Sequence, residues 1–240
     1  MIVVIGDPDL RLSPGDASAS AGGPAAAIAR ACVGAGATVQ VTGKIGDDPA
    51  GDEILLSLNR DGIGHVALLR DAGHPTRIAP RGIAPATGPD QDDGSVDAAW
   101  ALATEADPAA PADLGVAGLG ADQARSARSA LDPEDLDLAL RYLVTFAVLV
   151  VAEPLEAATL TVAAEAAAFS GAHLVIVGRP AEVPQVPADG ITILEPPLVD
   201  PDGDFAGLVA RYAVALDGGS PAAAAFRAAL GDTGWEPAVS

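Results

Sequence analysis

Basic residues and cysteine are scarce in this chain of 240 residues. It has 13 Lys and Arg against 33 Asp and Glu, giving a formal net charge of −20. Such a surface repels phosphate backbones and anionic lipid head groups, so we expect neither nucleic-acid nor membrane-surface binding. The single cysteine, Cys32, excludes an intramolecular disulfide framework and a Cys-rich zinc site. We interpret it as an inert thiol in the core.

Aromatic residues and long apolar runs are also scarce. Aromatics make up 3% of the chain, whereas hydrophobic residues make up 50%, so the core must consist mostly of Ala, Val, Leu and Ile. The apolar run at residues 142–152 is too short to cross a bilayer. The N-terminus lacks the basic start and the length of a signal peptide. We therefore expect a cytoplasmic protein, from a prokaryote.

The first seventy residues alternate between strand and helix patterns. Ile2–Ile5 is a β-branched apolar run typical of a buried parallel strand. Gly22-Gly23-Pro24 opens an Ala-rich helix, and Asp48-Pro49 caps a second helix that runs to about Arg60. Further strands are predicted at Asp9–Ser13, Thr38–Thr42 and His65–Leu69. This β-α-β-α-β order predicts a mostly parallel sheet with crossover helices.

Residues 71–113 differ because Pro, Gly, Asp and Ala dominate there. Short candidate strands occur at Thr76–Ala79 and Val96–Trp100, so this region is either a flexible insertion or a small β lid. The acidic cluster at residues 90–94 is interpreted as a hairpin tip rather than a calcium loop. Regular alternation then resumes. The predicted elements are helices at 132–142, 154–170, 203–216 and 220–230, and strands at 146–151, 173–177 and 191–194.

Two glycine-containing segments carry the functional signal. The first is Gly22-Gly23 before a helix, and the second is Gly43-Lys44-Ile45-Gly46-Asp47-Asp48, followed by Gly51. Paired glycines before a helix let a ligand approach free backbone N–H groups, although alone they are usually only a turn. Together, at this spacing, they resemble the ribokinase (pfkB) family of carbohydrate and nucleoside kinases. The resemblance continues at Gly62-Ile63, Gly120-Ala121-Asp122, residues 131–136, Glu153-Pro154 and residues 199–207.

The resemblance implies a ribokinase-like three-layer α/β/α fold with a central, mostly parallel sheet. It implies a single domain over residues 1–240, with a small β lid drawn from residues near 9–16 and 71–100. In this family the lid often mediates dimers, so the resemblance also implies a homodimer formed through the lid.

The resemblance assigns roles to matched positions. The aspartate that accepts the proton of the sugar hydroxyl would be Asp204, and Gly203 would be the remnant of the backbone anion hole for the transferring phosphate. An active enzyme would use ATP and magnesium. The three histidines have no metal-ligand spacing, so no protein metal site is predicted. The residues assigned to sugar or nucleoside hydroxyls are Asp9, Gly22, Gly23, Lys44 and Glu153.

The sequence departs from the family pattern at several of these places. Ala27 replaces an asparagine that holds the sugar, and a Gly-Ala-Gly anion hole is contracted to Asp202-Gly203, which places a carboxylate beside the incoming phosphate. Glu195-Pro196-Pro197 stands where an Asn-x-x-Glu stretch should begin. Almost nothing lies between Leu194 and Val199, where the family has further strands and a nucleotide-flanking loop. The nucleotide site is therefore predicted to be deleted.

Three functions follow as hypotheses. The leading one is a degenerate kinase-like protein that binds a small molecule or a protein partner. The second is a minimal sugar or nucleoside kinase with Asp204 as base and Mg-ATP as donor. The third, a generic nucleotide-binding α/β protein, lacks support because no Gly-x-Gly-x-x-Gly or Walker lysine motif is present. Structural alternatives also stay open: Asp204 complementing a helix dipole, Lys44 as an exposed loop charge, Gly22-Gly23 as a turn, and Glu153 facing water.

Overall fold

The computed structural model of the protein describes residues 1–12, 19–80, 131–143, 145–186, 190–200 and 203–231. These residues all belong to one compact unit formed by Met1–Gly82 and Ser129–Ser240. No helix among them is long and apolar enough to cross a membrane. Several predicted features lie outside the described residues: the strand Val96–Trp100, the hairpin tip at 90–94, the Gly120-Ala121-Asp122 segment, Asp202, and most of the predicted lid at 13–16 and 81–100.

Nine strands are described, and six of them form a central sheet. The strands are β1 (Ile2–Ile5), β2 (Asp9–Leu12), β3 (Ala19–Gly22), β4 (Val39–Gly46), β5 (Leu68–Asp71), β6 (Ile78–Pro80), β7 (Val148–Val151), β8 (His173–Val177) and β9 (Ile191–Leu194). The central sheet has the order β5-β4-β1-β7-β8-β9, and each of its pairings is parallel. The predicted α/β fold class with a mostly parallel central sheet is therefore confirmed.

The central strand β1 explains why the sheet needs helices on both faces. Its four side chains are all fully buried. Ile2 and Val4 contribute to one hydrophobic cluster, while Val3 and Ile5 contribute to the other, because successive side chains of a strand point to opposite faces. A strand buried on both faces is a nearly continuous apolar run, as the sequence of β1 is.

Among the described residues, six helices form the two outer layers. They are α1 (Gly23–Gly34), α2 (Pro49–Arg60), α3 (Pro133–Arg141), α4 (Ala157–Ser170), α5 (Asp204–Asp217) and α6 (Ala222–Gly231). Buried residues of α1, α2, α5 and α6 form the cluster on one face of the sheet. Those of α3 and α4 form the cluster on the other face. The result is a three-layer α/β/α arrangement.

The orientation of α5 places its N-terminus toward the carboxyl edge of the sheet. Asp217, the last residue of α5, accepts a hydrogen bond from the amino group of Met1 at 2.6 Å. The C-terminal end of α5 therefore lies at the start of β1, and the helix runs antiparallel to the strands. Its N-terminus consequently lies toward the carboxyl ends of the strands, where open α/β sheets bind ligands.

A second sheet has the order β3-β2-β6. The pair β2–β3 is antiparallel and the pair β2–β6 is parallel. The strand β3 was not predicted, because Ala19–Gly22 is short and lacks β-branched residues. This sheet contains parts of both predicted lid segments, and their action as a lid stays a prediction.

Several element boundaries differ from the predicted ones. The strand β4 does not end at Thr42 but continues to Gly46, because its pairing with β5 supplies backbone partners beyond the apolar stretch. The strand β5 begins at Leu68 instead of His65. The helix α4 begins three residues later than predicted, because Glu156 has an extended backbone and serves as the N-cap.

Cys32 lies in α1 and is fully buried. Burial, together with the negative charge of Asp217, raises the pKa of the Cys32 thiol to about 12. The predicted core location of Cys32 is therefore confirmed. Because the thiolate is the reactive form, the raised pKa agrees with the prediction of an inert thiol.

Candidate functional site

The carboxyl ends of β1 and β7 bring two acidic side chains together. Gly6-Asp7 follows β1, and Ala152-Glu153 follows β7; the two segments are joined by a 2.9 Å hydrogen bond from the Ala152 N–H to the Ile5 carbonyl. Glu153 is 6% exposed, so the alternative that it faces water is wrong. A cavity of about 70 Å³ lies here, lined by Gly6, Asp7, Leu131, Glu153, Pro154, Leu155 and Glu156.

Asp7 was missed by the sequence reasoning. Its carboxylate accepts a 2.6 Å hydrogen bond from the Lys44 N–H and so joins the ends of β1 and β4. These backbones approach closely because position 43 is glycine: a Cβ on Gly43 would overlap the carbonyl oxygen of Gly6. The position of Asp7 directly after a buried parallel strand is the sequence signal that could have identified it.

The second glycine motif forms a packed corner around Asp48. The Asp48 carboxylate accepts hydrogen bonds from the Gly51 N–H at 2.8 Å and the Thr76 N–H at 2.7 Å. The Thr76 hydroxyl in turn accepts one from the Gly46 N–H at 2.9 Å. Desolvation acts to raise the pKa of Asp48, but the hydrogen bonds from Thr76 and Gly51 outweigh it and lower that pKa.

The glycines of this corner are required by packing. A Cβ on Gly51 would overlap the carbonyl oxygen of Gly46, and a Cβ on Gly46 would lie 2.5 Å from the Asp48 carboxylate and from the Thr76 nitrogen. The glycines of the motif therefore have a structural reason that is independent of any ligand.

Lys44, the sole lysine of the sequence, is bound to α3. Its ammonium group pairs with the carboxylate of Asp135 and, at 3.4 Å, with that of Asp132. The Lys44 side chain is only 13% exposed, so the alternative of an exposed loop charge is wrong. Desolvation acts to lower the pKa of Lys44, but the two carboxylates outweigh it and raise that pKa. Asp132 also caps α3 by accepting from the Asp135 N–H at 2.9 Å.

Asp9 and the paired glycines lie together, as the resemblance requires. Asp9 is opposite Gly22 in the β2–β3 register, and a Cβ on Gly22 would overlap the Asp9 carboxylate. Gly23 has φ +83°, a left-handed conformation that favours glycine. Asp9 is 7% exposed and accepts a 3.2 Å hydrogen bond from Nε of Arg11, so its charge is already balanced.

The N-terminus of α5 is capped by a side chain of this chain. The Asp200 carboxylate accepts hydrogen bonds from the Asp204 N–H at 2.9 Å and from the Phe205 N–H at 3.2 Å. Gly203, the N-cap, has φ +74°, and a Cβ added there would meet no described atom within 4 Å. The backbone groups that the resemblance assigns to the transferring phosphate therefore hold Asp200 instead.

The predicted site residues thus fall into separate groups. Asp9 contacts Gly22-Gly23, Glu153 lines a cavity with Asp7, and Lys44 is paired with α3. The Asp204 side chain is exposed and makes no hydrogen bond or ion pair with any residue that the structure describes. Within the same residues, no three His, Cys, Asp or Glu side chains are grouped to hold a metal ion.

Comparison with known proteins supports the resemblance. Residues 4–83 match the sequence model of the pfkB family carbohydrate kinases. No curated protein sequence matches the chain at a significant level.

Two solved structures with TM-scores above 0.5 show the same fold at low sequence identity, and a third is a weaker match. The protein Sa239 has 13% identity and a TM-score of 0.57, with 99% of this chain and 95% of that chain covered. A candidate phosphofructokinase from Staphylococcus aureus has 13% identity and a TM-score of 0.53, with 95% and 89% covered. A 2-dehydro-3-deoxygluconokinase from Thermotoga maritima has 19% identity and a TM-score of 0.49, and this chain spans 52% of its length.

The glycine motifs of the sequence, the sheet order and the match over residues 4–83 agree with one another. The chain therefore has a ribokinase-like α/β/α fold, and its resemblance to the pfkB family of carbohydrate kinases is confirmed.

Proposed function

We propose that this protein is a kinase-like binding protein that has lost efficient ATP-dependent phosphoryl transfer. In this proposal it acts in the cytoplasm by binding a sugar, a nucleoside or a protein partner. The observation that carries the proposal is the capping of α5 by Asp200, whose carboxylate accepts the N–H groups of Asp204 and Phe205.

The Asp200 cap opposes phosphate binding for an electrostatic reason. The N-terminus of a helix carries about half a positive elementary charge, together with free N–H donors, and so favours one anion. Asp200 lies only four residues before Asp204, so its carboxylate is held at a high effective concentration at that position. An incoming phosphate would have to displace this carboxylate or lie beside its negative charge.

Two cations near the carboxyl edge, Lys44 and Arg11, are already paired within the part of the chain that the structure describes. Phosphoryl transfer depends on Lys, Arg or metal ions that stabilise charge on the transferring group. Lys44 is paired with Asp132 and Asp135, and Arg11 is paired with Asp9. The arrangement around the end of α5 does not fit a bound Mg-ATP, and we assign no step to one.

The binding half of the proposal is supported by the cavity at the ends of β1 and β7. The Asp7 and Glu153 side chains line it, and carboxylates accept hydrogen bonds from hydroxyl groups. Hydroxyl-rich ligands such as sugars and nucleosides suit such acceptors. Ala27 lies where the family pattern has an asparagine, so fewer polar groups are available to a sugar than in a kinase of that pattern.

The alternative function is an active sugar or nucleoside kinase with Asp204 as general base. The position of Asp204 favours it, because this carboxylate is exposed in the first turn of α5, toward the carboxyl edge of the sheet. The two proposals differ in whether nucleotide binds and whether product forms.

The decisive experiment measures the thermal midpoint and product formation with Mg-ATP and a panel of sugars and nucleosides. We expect no upward shift with Mg-ATP and no phosphorylated product. A reproducible upward shift together with product, lost in Asp204→Asn while the circular dichroism spectrum is unchanged, would establish the kinase instead. A shift caused by a sugar or nucleoside without Mg-ATP would identify the bound ligand.

A further inference from the structure

A groove of about 690 Å³ lies between α3 and α4, in the outer layer opposite α1 and α5. One wall is the side of α3 that carries Glu134, Asp137 and Arg141. The other wall is the side of α4 that carries Val162, Glu165 and Phe169. The groove shares no residue with the capped end of α5, so docking there does not depend on the loss of phosphoryl transfer, but it rests on the protein-partner part of the proposed function.

The helix α4 carries apolar side chains that do not all pack in the core. Its buried residues Leu160, Ala163 and Ala167 face the sheet. Glu165 is the only charged residue among its 14 residues. A helix that is apolar on nearly all sides is normally buried on all sides. In α4, however, Phe169 is 96% exposed, at the lip of the groove.

The helix α3 adds exposed apolar side chains to the same layer. Tyr142, at the C-cap of α3, is 65% exposed, and Leu138 is 46% exposed. Neither side chain lines the groove, so they extend the exposed apolar surface of this layer beyond the groove walls.

The rim of the groove is acidic. Glu134 and Glu165 lie on its opposite walls, both exposed, and neither makes a hydrogen bond or ion pair with any residue in the described ranges. Asp137 accepts a hydrogen bond from Arg141 at 2.5 Å, and Arg141 is the only cation among the lining residues within the described ranges. The rim therefore carries a net negative charge above an apolar floor that includes Leu140, Leu143 and Phe146.

We propose that this groove docks a segment of a protein partner: an amphipathic helix with an apolar face and flanking Lys or Arg residues. An amphipathic helix lays its apolar face into a groove of this kind, and its basic flanks would meet Glu134 and Glu165. Charge decides against a second copy of this chain, because each copy has a net charge of −20 and the same acidic rim.

The test uses a fluorescein-labelled synthetic helical peptide with Leu on one face and Lys on the other. The matched probe has Glu in place of each Lys. We expect fluorescence anisotropy to show binding of the Lys peptide and not of the Glu peptide. Phe169→Ala should weaken binding about tenfold, since buried aromatic anchors dominate such interfaces. Because Phe169 is 96% exposed, this variant should fold normally.

The double variant Glu134→Lys/Glu165→Lys should also weaken binding about tenfold at low salt, and the effect should shrink at about 0.5 M salt. The matched control is Glu182→Lys/Glu195→Lys, which makes the same charge change at exposed positions outside the groove. Equal weakening by the control would show that the peptide senses only the overall charge, and would overturn the proposal. Sedimentation that shows a dimer dissociated by Phe169→Ala would overturn it in favour of a second copy.

Discussion

The helices α1 and α5 each have a glycine as N-cap, and the surroundings of the two helix starts differ. Before α1, a Cβ on Gly22 would overlap the carboxylate of Asp9, and Gly23 has a left-handed φ of +83°. Before α5, Gly203 also has a left-handed φ of +74°, but no described atom lies near its potential Cβ. Glycine is needed for close packing at the first helix and only for the backbone turn at the second.

The requirement for glycine in close packing extends to the rest of the first glycine-rich region. In the region of β4 and α2, Gly43, Gly46 and Gly51 each prevent an overlap with backbone or with Asp48. A substitution there damages the fold whether or not a ligand binds. At the start of α5, by contrast, a Cβ on Gly203 would meet no described atom within 4 Å, so packing does not require glycine there. The fold therefore explains why the motif of Gly43, Gly46 and Gly51 is retained, and its presence is not evidence of catalysis.

Gly43→Ala should have the largest effect on stability of the substitutions that test this difference. The added methyl group would overlap the carbonyl oxygen of Gly6, and overpacking against backbone typically costs about 2 to 3 kcal/mol. We expect that loss in the free energy of unfolding measured by urea denaturation. The control is Gly34→Ala, at the end of α1, where no atom lies within 4 Å of the new Cβ and no loss is expected. Equal stability of both variants would refute the packing explanation.

Asp48→Ala should have the next largest effect. It removes hydrogen bonds to the N–H groups of Gly51 and Thr76, at a cost of about 1 to 2 kcal/mol near pH 7. The lowered pKa of Asp48 sets the sign of the pH dependence: its contribution is fully present above the ordinary value of 3.8 and is lost as the pH falls through the lowered value.

The measurement for Asp48 is the difference in unfolding free energy between wild type and variant at several pH values. That difference should be constant from pH 7 to about pH 5 and should shrink below the ordinary pKa of 3.8. A difference that grows as the pH falls would contradict the hydrogen-bonding role of the carboxylate.

Lys44→Met tests whether the lysine stabilises the fold or binds substrate. Loss of its pairs with Asp132 and Asp135 should cost about 1 kcal/mol, since partly exposed ion pairs contribute little more. The pKa of Lys44 is raised, so its contribution is fully present below the ordinary value of 10.5. A double-mutant cycle with Asp135→Ala measures the pair itself. An unchanged stability combined with lost ligand binding would instead favour the substrate role.

Asp200→Ala should have the smallest effect on stability, and it should allow inorganic phosphate to bind at the start of α5. Removal of the cap should cost about 0.5 to 1 kcal/mol. It also frees the Asp204 and Phe205 N–H groups, so inorganic phosphate should raise the thermal midpoint of the variant and not of the wild type. Asp200→Asn, which keeps the oxygen acceptor without the charge, is the matched control. Stabilisation of wild type and variant alike by phosphate would contradict the blocking role of Asp200.

Much of the fold could be predicted from local sequence signals. The caps at Asp48 and Asp132, each followed by proline, marked the starts of α2 and α3. The apolar run Ile2–Ile5 identified the central strand. The short strand β3 and the extension of β4 could not be predicted, because they depend on pairing with strands elsewhere in the chain.

The candidate site was harder to predict than the fold. The resemblance brought Asp9 and the paired glycines together, and the structure places them in contact. It could not foresee that Lys44 is paired with Asp135, because an ion pair between β4 and α3 has no local sequence pattern. Nor did it foresee Asp200 as the cap of α5, although an aspartate four residues before the helix is a readable signal.

The central position of β1 also has a consequence for the order of folding. Its partner β4 follows soon in the sequence, whereas its other partner, β7, is synthesised only after residues 81–130. Until β7 is added, the growing chain exposes one edge of a wholly apolar strand, which is a template for pairing with other chains. The pairing of β1 with β7 closes a long loop and is therefore slow. The tendency to aggregate during synthesis therefore depends on how long the edge of β1 that pairs with β7 stays unpaired.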